Sequence, residues 1–207
     1  MSPLAELLTG KALLIFDLDG TLIDTTPIHA RAFEETFAPL NVAVDYSTIA
    51  GMKTEDAVEK LLAGAGVASS PELVDGLTQE KRRRALALMD SAEPIEGAAD
   101  FVSRARSRYR VALCTSGSRR ATERSLETVG LAGVFDPIVT GEDVSAGKPD
   151  PASYLEVLRR AQVEAGQALV FEDAELGAEA ARRAGIAVVL VDNGWGSLNE
   201  ALSELGL

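Results

Sequence analysis

Four short groups of polar residues along the chain have the side chains of a phosphoryl-transfer site. They comprise two aspartates one residue apart, a Thr-Ser pair, a lysine in a Gly-Lys-Pro loop and a Glu-Asp pair: Asp17 with Asp19, Thr115 with Ser116, Lys148, and Glu172 with Asp173. Carboxylates that share a small volume require a cation. The four acidic residues of these groups are therefore the predicted ligands of Mg²⁺, which prefers oxygen ligands and whose coordination shell a substrate phosphate typically completes. Hydroxyls, backbone amides and a lysine beside them bind phosphoryl oxygens. Together, the groups predict Mg²⁺-assisted phosphoryl transfer.

Each group lies at the end of a segment with the pattern of a buried strand. The apolar run that begins at Ala12 ends at Asp17, and similar runs lead into Thr115 and Glu172. From Pro94 onward, strands predicted at 110–115, 138–140, 168–171 and 187–191 alternate with helices predicted at 98–107, 119–129, 151–161 and 174–184. This alternation is typical of parallel β-α units, in which ligands bind at the carboxyl ends of the strands. We therefore predict an α/β protein with a Rossmann-like parallel sheet whose edge collects the four groups.

Residues 24–90 have a different pattern from the rest of the chain. They contain no strand-like run, and helices are predicted at 26–37, from Thr54 to the Gly64-Ala65-Gly66 stop, and from Ser70-Pro71 to Met89, with Thr26 and Thr54 as N-caps. Because the first strand belongs with the strands after Pro94, this segment is predicted to be an insertion. The predicted domains are a catalytic core of residues 1–23 and 91–207 and a helical cap of residues 24–90.

The composition narrows the range of partners. The 207 residues carry a formal net charge of −12 and include a single cysteine. A net charge of this sign disfavours nucleic acid and anionic membrane surfaces as partners. No apolar run approaches the ~20 residues of a membrane span, and the start of the chain lacks the pattern of a signal peptide. We expect a cytoplasmic protein that acts on a small phosphorylated metabolite, with a monomer as the favoured oligomeric state.

The same residues resemble the motifs of a known family. In chain order, four segments are similar to the four motifs of the haloacid dehalogenase (HAD) superfamily: Asp17-Leu18-Asp19-Gly20-Thr21-Leu22, Thr115-Ser116, Lys148-Pro149 and Glu172-Asp173-Ala174-x-x-Gly177. The likeness is strongest to the β-phosphoglucomutase and sugar-phosphatase branch, in which a helical cap is inserted after the first motif. The resemblance implies the HAD fold with an inserted α-helical cap domain and a hydrolase of phosphoric monoesters.

The resemblance also implies a role for each motif residue. Asp17 matches the nucleophile, which forms an aspartyl phosphate. Asp19 matches the acid/base, whose main-chain carbonyl also binds Mg²⁺. The positions that match phosphate-binding residues are Gly20, Thr115, Ser116 and Lys148, and those that serve the metal are Glu172 and Asp173.

Three positions in the cap are further candidates for substrate binding. His29, the single histidine, either faces the site or occupies a plain helix position, and the sequence leaves both interpretations open. The loop Gly51-Met52-Lys53-Thr54 matches the loop with which related enzymes contact the leaving group, so that Lys53 and Thr54 are predicted substrate contacts. The alternative is that Lys53 is a solvated loop lysine. We interpret the triple arginine at 82–84 as a solvated helix face.

The leading functional hypothesis is a Mg²⁺-dependent phosphatase that acts on a small sugar or polyol phosphate. One alternative is a phosphomutase of the β-phosphoglucomutase type, and another is a catalytically silent protein that senses a phosphorylated ligand. Relatives that dehalogenate or cleave phosphonates have no carboxylate at the position of Asp19, so Asp19 favours phosphate esters. The mutases resembled here carry an arginine where this chain has Thr54, and a neutral hydroxyl does not replace a guanidinium at a second phosphate.

Overall fold

The computed structural model describes residues 2–191 and 194–207, in which a parallel sheet with flanking helices carries an insertion of helices. The strands are β1 (Leu13–Phe16), β2 (Ile23–Asp24), β3 (Glu93–Pro94), β4 (Arg110–Cys114), β5 (Ile138–Val139), β6 (Ala168–Glu172) and β7 (Ala187–Leu190). The helices are α1 (Pro3–Leu8), α2 (Thr26–Phe37), α3 (Thr54–Gly64), α4 (Pro71–Leu88), α5 (Ala98–Ala105), α6 (Arg119–Thr128), α7 (Ala152–Ala161), α8 (Glu175–Arg183) and α9 (Gly196–Glu204). No helix in these residues has the length and apolar character needed to cross a bilayer.

Five parallel strands form the main sheet in the order β5-β4-β1-β6-β7, with β1 at its centre. Phe16 at the end of β1 lies opposite Leu113 of β4 and Phe171 of β6. The residues that come next along these three strands therefore lie side by side at one edge of the sheet. The α/β fold with a Rossmann-like parallel sheet, predicted from the alternation of strands and helices, is confirmed.

The two faces of β1 are buried in separate apolar clusters. Leu14 and Phe16 pack on one side of the sheet, whereas Leu13 and Ile15 pack on the other. Full burial of an aliphatic or aromatic side chain contributes about 1.5–3 kcal/mol, so these four side chains hold the strand firmly on both faces. Cys114 is fully buried in the second cluster, and burial raises the pKa of its thiol to about 12.

The side chain of Trp195 connects the C-terminal part of the chain to the turn that follows β1. Its ring lies 4.8 Å from the ring of Phe101, 5.5 Å from that of Phe171 and 6.0 Å from that of Phe16, measured between centroids. Its Nε1 donates a hydrogen bond to the carbonyl oxygen of Thr21 at 2.9 Å. The turn between Asp19 and β2 is thus held in place by a hydrogen bond from a residue of a buried aromatic cluster.

Helices α2, α3 and α4 are inserted between the two strands of a short antiparallel pair. In this pair Ile23 lies opposite Pro94 and Asp24 lies opposite Glu93, so the chain leaves and re-enters the core at one place. The inserted helices also bury an apolar cluster of their own, which includes Phe37. The helical character of the insertion agrees with the prediction, and the domain boundaries at 23/24 and 90/91 stay predictions.

Two predicted helix caps are wrong. Helix α2 follows Thr25, with Thr26 inside the helix, and α3 follows Lys53, with Thr54 inside the helix; neither N-cap residue makes a side-chain cap bond. Thr25, Thr26 and Thr54 line a cavity instead. The prediction for α4 is confirmed, because the Oγ of Ser70 accepts a hydrogen bond from the backbone N–H at position 73.

Replacing Trp195 by Phe should lower the free energy of unfolding by about 1–3 kcal/mol, because the aromatic ring is retained while the buried carbonyl of Thr21 loses its donor. The Trp195→Ala variant should lose about 3–5 kcal/mol, since it also leaves a cavity. Urea unfolding followed by circular dichroism measures both values. Equal stability of Trp195→Phe and the unmodified chain would contradict the contribution of the hydrogen bond.

Candidate active site

A cavity of about 430 Å³ lies between the carboxyl edge of the sheet and the inserted helices. Every predicted site residue except Gly20 and Lys53 lines it: Asp17, Asp19, His29, Thr54, Thr115, Ser116, Lys148, Glu172 and Asp173. The walls on the side of the inserted helices add aromatic and aliphatic side chains to these polar groups. A partly apolar cavity with a few convergent polar groups is typical of small-molecule sites.

Lys148 joins β1 and β6 through two buried ion pairs. Its Nζ donates a hydrogen bond to Asp17 Oδ1 at 2.7 Å and another to Glu172 Oε1. Burial by itself lowers the pKa of Lys148, but the two carboxylates outweigh burial and raise that pKa well above its ordinary value. The ammonium therefore keeps its charge. Within the part of the chain that the structure describes, the other oxygen of Asp17, Oδ2, receives no hydrogen bond and remains available to a ligand.

Three carboxyl groups gather beside Lys148. Asp17, Glu172 and Asp173 each offer an oxygen, and these oxygens all lie within 4.8 Å of one another. Burial, followed by the negative charge of Glu172, raises the pKa of Asp17 well above its ordinary value and that of Asp173 to about 6. A divalent cation would remove this repulsion, and an all-oxygen donor set suits Mg²⁺. The residues present therefore fit the predicted metal.

Two glycines make room for these carboxyl groups. Gly20 has a φ of +85°, and a Cβ at this position would overlap the carboxylate of Asp173. A Cβ on Gly177 would overlap the carboxylate of Glu172 in the same way. Gly20 thus lies against the carboxylate of Asp173 and is not among the residues that line the cavity. Its predicted phosphate contact stays a prediction. Tyr154, which was not predicted as a site residue, donates a hydrogen bond from its hydroxyl to Glu172 Oε1 at 3.0 Å.

The carboxylate of Asp19 has hydrogen-bond partners of its own, separate from those of this acidic group. Its Oδ1 accepts a hydrogen bond from Thr25 Oγ1 at 2.6 Å and lies 3.3 Å from His29 Nε2, while its Oδ2 accepts from Thr115 Oγ1 at 3.2 Å. Burial alone would raise the pKa of Asp19, but the bonds from His29 and Thr25 and the charge of Lys81 lower it below its ordinary value. The carboxyl of Asp19 is therefore ionised in the resting site. A metal contact through its main-chain carbonyl stays a prediction.

His29 faces the site, and Lys81 fixes its tautomer. Lys81 Nζ lies 3.0 Å from His29 Nδ1. Because an ammonium can only donate, Nδ1 is the acceptor and the ring proton lies on Nε2, where it is donated to Asp19. Burial and the charge of Lys81 lower the pKa of His29, which agrees with a neutral ring. Burial lowers the pKa of Lys81 itself to about 8.

The family follows from a comparison of this chain with known proteins. Residues 14–191 match the family model described as haloacid dehalogenase-like hydrolase. The chain belongs to this family. Its relatives include a validoxylamine A 7'-phosphate phosphatase of Streptomyces hygroscopicus subsp. limoneus, which is 36% identical over 83% of this chain and 81% of its own length. A fructose-1-phosphate phosphatase of Escherichia coli (strain K12) is 32% identical over 85% of this chain and 94% of its own length.

Solved structures agree with this assignment. The crystal structure of CbbY from Rhodobacter sphaeroides in complex with phosphate is 30% identical and has a TM-score of 0.77, covering 87% of this chain and 85% of its own. The predicted membership of the HAD superfamily, in its β-phosphoglucomutase-like branch, and the predicted class of phosphoric monoester hydrolase are confirmed.

In this HAD hydrolase, some residues of the loop at 51–54 line the cavity, whereas another contacts the core. Gly51, Met52 and Thr54 line the cavity, whereas Lys53 points away and its Nζ donates to the carbonyl oxygen of Val144 at 2.9 Å. The structure therefore does not bring Lys53 to the site as predicted, because its ammonium ties the insertion to a loop of the core. Ser116 makes a second tie, since its Oγ donates to the carbonyl oxygen of Gly51 at 2.8 Å.

Lys81 was not predicted as a site residue, although the chain contains a signal for it. The buried positions of α4 are Thr78, Lys81 and Ala85, whose spacing of three and four residues marks one helix face. A lysine on a buried face is rare without a partner and indicates a functional or paired position. The neighbouring arginines, expected as a solvated face, pair with glutamates on their own helix and on α2 and α3.

Two aromatic residues of the insertion were also not predicted. Phe33 and Tyr46 line the cavity, with ring centroids 6.3 Å apart. Burial, together with the negative charges of the three aspartates of the site, raises the pKa of the Tyr46 phenol above its ordinary value. The hydroxyl of Tyr46 therefore keeps its proton throughout the working pH range. No single residue of the segment 38–50 signals this placement, since Tyr46 lies outside the main helices.

The variant Lys81→Met should lower kcat/KM about tenfold at neutral pH, because a charged hydrogen bond to His29 is lost. Lys81 is charged below its pKa of about 8 and loses its charge as the pH rises through that value. The kcat/KM of the unmodified enzyme should therefore fall above pH 8, and that fall should be absent in Lys81→Met. A pH–rate profile with p-nitrophenyl phosphate tests this.

Lys60→Met is a matched control for this experiment, because the exposed Lys60 of α3 donates to the carbonyl oxygen of Thr48 and is not among the residues that line the cavity in the described part of the chain. Its pH profile should coincide with that of the unmodified enzyme. An unchanged basic limb in Lys81→Met would show that Lys81 does not control the pH dependence.

Proposed function

We propose that this HAD hydrolase is a Mg²⁺-dependent phosphatase of small sugar or polyol phosphates that works through an aspartyl phosphate on Asp17. The observation that carries the proposal is the geometry around Asp17: Lys148 binds Oδ1 and leaves Oδ2 without a hydrogen bond among the described residues, while Asp19 lines the same cavity with its own set of partners. A nucleophile and a separate acid/base are the two groups that a double-displacement hydrolysis requires.

In the first step, Oδ2 of Asp17 forms a bond to phosphorus while the bond from phosphorus to the leaving oxygen breaks. The leaving oxygen takes a proton from Asp19 and departs as an alcohol. Because the carboxyl of Asp19 is ionised in the resting site, it must first gain this proton. An anionic phosphate beside Asp19 raises the pKa of that carboxyl by like-charge repulsion, so substrate binding itself favours the protonated form.

In the second step, water attacks phosphorus and the bond to Asp17 Oδ2 breaks, which releases inorganic phosphate. Asp19, ionised since it gave its proton to the leaving group, accepts the proton of that water and becomes protonated again. His29 and Thr25 stabilise the ionised carboxylate, and Thr115 orients its second oxygen. The same residues therefore favour the form of Asp19 that serves as the base.

Asp17, Glu172 and Asp173 are the residues that would hold Mg²⁺. The ion would lower the pKa of Asp17, and thus keep the nucleophile ionised, and would offset charge on the transferring oxygens. Lys148 supplies fixed positive charge on the same side, and Thr115 and Ser116 line the cavity beside it as candidate donors to the phosphoryl oxygens. Electrostatic stabilisation of this kind is usually the largest contribution to rate in phosphoryl transfer.

A sugar or polyol phosphate is supported by the relatives and by the cavity. The relatives described above are named as phosphatases of validoxylamine A 7'-phosphate and of fructose 1-phosphate. The volume of about 430 Å³ falls within the range of small-molecule pockets, and hydroxyl side chains line it on the side of the insertion. Both features favour a hydroxylated leaving group of moderate size.

The cavity disfavours the alternative of a phosphomutase. A mutase must hold a second phosphate, for which it needs a cation apart from the catalytic lysine. Among the lining residues that the structure describes, the lysines are Lys81 and Lys148, and both already bind protein groups. Thr54 contributes a neutral hydroxyl at the position where the mutases that the chain resembles carry an arginine. The site therefore favours transfer of the phosphoryl group to water.

The variant Asp17→Asn should reduce turnover of p-nitrophenyl phosphate to less than about a hundredth, because an amide is not a nucleophile. Asp75→Asn, on the exposed side of α4, should retain full activity and serves as the control. Initial rates with saturating Mg²⁺ measure both. Retention of a tenth of the activity by Asp17→Asn would contradict the covalent mechanism, and ligand binding without any turnover by the unmodified chain would favour a sensor.

Incubation with β-glucose 1-phosphate and a trace of the 1,6-bisphosphate should release inorganic phosphate faster than it forms glucose 6-phosphate, because the cavity offers no uncommitted lysine, among the residues that the structure describes, to a second phosphate. Phosphorus NMR resolves the three species in one time course. Faster formation of glucose 6-phosphate would overturn the choice of phosphatase over mutase.

A further inference from the structure

Tyr46 is presented to the cavity by a short turn that is held by its own hydrogen bonds. It is the first residue of a 3₁₀ turn, Tyr46–Thr48, whose N-cap is Asp45. The Oδ1 of Asp45 accepts hydrogen bonds from the backbone N of Ser47 at 3.1 Å and from its Oγ at 2.6 Å. The backbone of this turn is therefore fixed, and the mechanism above assigns no role to the side chain of Tyr46.

The ring of Tyr46 extends an apolar wall of the cavity. It packs at 40° to the ring of Phe33, which is itself held between the inserted helices and lies 4.7 Å from Lys81 Nζ. The neighbouring Ile49 and Met52 continue this wall with aliphatic surface. A rigid aromatic side chain offers contact area at little cost in conformational entropy.

The hydroxyl of Tyr46 forms no hydrogen bond with any residue that the structure describes, although the negative charges of Asp17, Asp19 and Asp173 act on it. Tyr46 is half-buried and lines the cavity, so its hydroxyl is placed to pair with a ligand bound there. The hydroxyl both donates and accepts, and the ring beside it is apolar. This combination fits a surface on which C–H and O–H groups alternate.

The charges of the cavity disfavour an anionic leaving group beside Tyr46. Lys148 is paired with Asp17 and Glu172, and Lys81 donates to His29. Asp45 adds a carboxylate at the rim. A leaving group with its own carboxylate or phosphate would meet negative charge here without an uncommitted cation among the described lining residues, which is unfavourable in a site of low dielectric constant.

We propose that Tyr46 determines the specificity of the enzyme: its hydroxyl hydrogen-bonds a hydroxyl of the leaving group, and its ring, backed by Phe33, contacts the C–H face of that group. The selected substrates are monophosphates of neutral polyhydroxylated compounds of monosaccharide size. Phosphate esters whose leaving group carries a second anion are disfavoured. This inference rests on the proposed phosphatase function and concerns the same site.

The experiment compares the unmodified enzyme with Tyr46→Phe, using a hexose monophosphate, acetyl phosphate and phosphoglycolate as substrates. The unmodified enzyme should prefer the hexose monophosphate to phosphoglycolate in kcat/KM. Tyr46→Phe should lose about fivefold in kcat/KM on the hexose monophosphate, mainly through KM, because one hydrogen bond is removed. Its kcat/KM on acetyl phosphate, whose leaving group is too small to reach Tyr46, should be unchanged.

Tyr109→Phe is the matched control, since Tyr109 is buried in the core cluster on the sheet and does not line the cavity. It should leave all three substrates unaffected. Tyr46→Ala should lose more on the hexose monophosphate than Tyr46→Phe, because it also removes the ring. Thermal unfolding curves of all variants separate loss of fold from loss of contact.

Two results would overturn the proposal while the phosphatase function stands. One is an equal loss, or no loss, on the hexose monophosphate and acetyl phosphate in Tyr46→Phe. The other is a preference of the unmodified enzyme for phosphoglycolate. Absence of turnover of every substrate, acetyl phosphate included, in the presence of Mg²⁺ would overturn the phosphatase function and this proposal with it.

Discussion

The buried ion pairs of Lys148 are the interactions on which the rest of the site depends. One ammonium, carried by a loop before α7, binds Asp17 after β1 and Glu172 at the end of β6. Buried charges are costly to desolvate, and removal of one partner of such a pair costs about 3–5 kcal/mol because the other charge is left uncompensated. The same contacts orient Asp17 so that one oxygen faces the cavity. The same atoms therefore contribute to the stability of the fold and to the chemistry of the site. Three carboxyl groups share one ammonium here, and a divalent cation would balance the negative charge that remains.

A second dependence links the inserted helices to the state of Asp19. Burial alone would raise the pKa of this carboxyl, and the hydrogen bonds from His29 of α2 and from Thr25, with the charge of Lys81 of α4, lower it instead. Lys53 and Ser116 hold the insertion in this position through hydrogen bonds to backbone carbonyls on the opposite side of the interface. The charge on the acid/base residue is thus set by the insertion, which also forms the wall that contacts the leaving group. Specificity and proton transfer are coupled through the same helices.

The local pattern of the chain is sufficient to predict the sheet and most of the catalytic edge. Buried parallel strands have the pattern of apolar runs, and polar residues at their ends must meet at one edge because the strands are parallel. Residue types and the parallel direction of the strands therefore predict that Asp17, Thr115 and Glu172 lie at one edge of the sheet. The helix starts are predicted less well: Thr26 and Thr54 have the residue type of a cap, but the cavity, and not the helix end, takes their side chains. The helices α1 and α9 were not predicted; they pack against each other, and α9 also packs against α5.

By itself, the sequence determined the family, the parallel α/β core and the motif residues, because each depends on residue types and spacing within a single strand-loop unit. The tertiary structure alone decided that Lys81 and Tyr46 face the cavity and that Lys53 faces away. It also decided the tautomer of His29, the ionisation of Asp19 and the role of Gly20 in making room for Asp173. These properties depend on how the inserted helices pack over the sheet edge, which brings together side chains that are distant in sequence. A side chain on a helix has no fixed direction relative to the site until that packing exists.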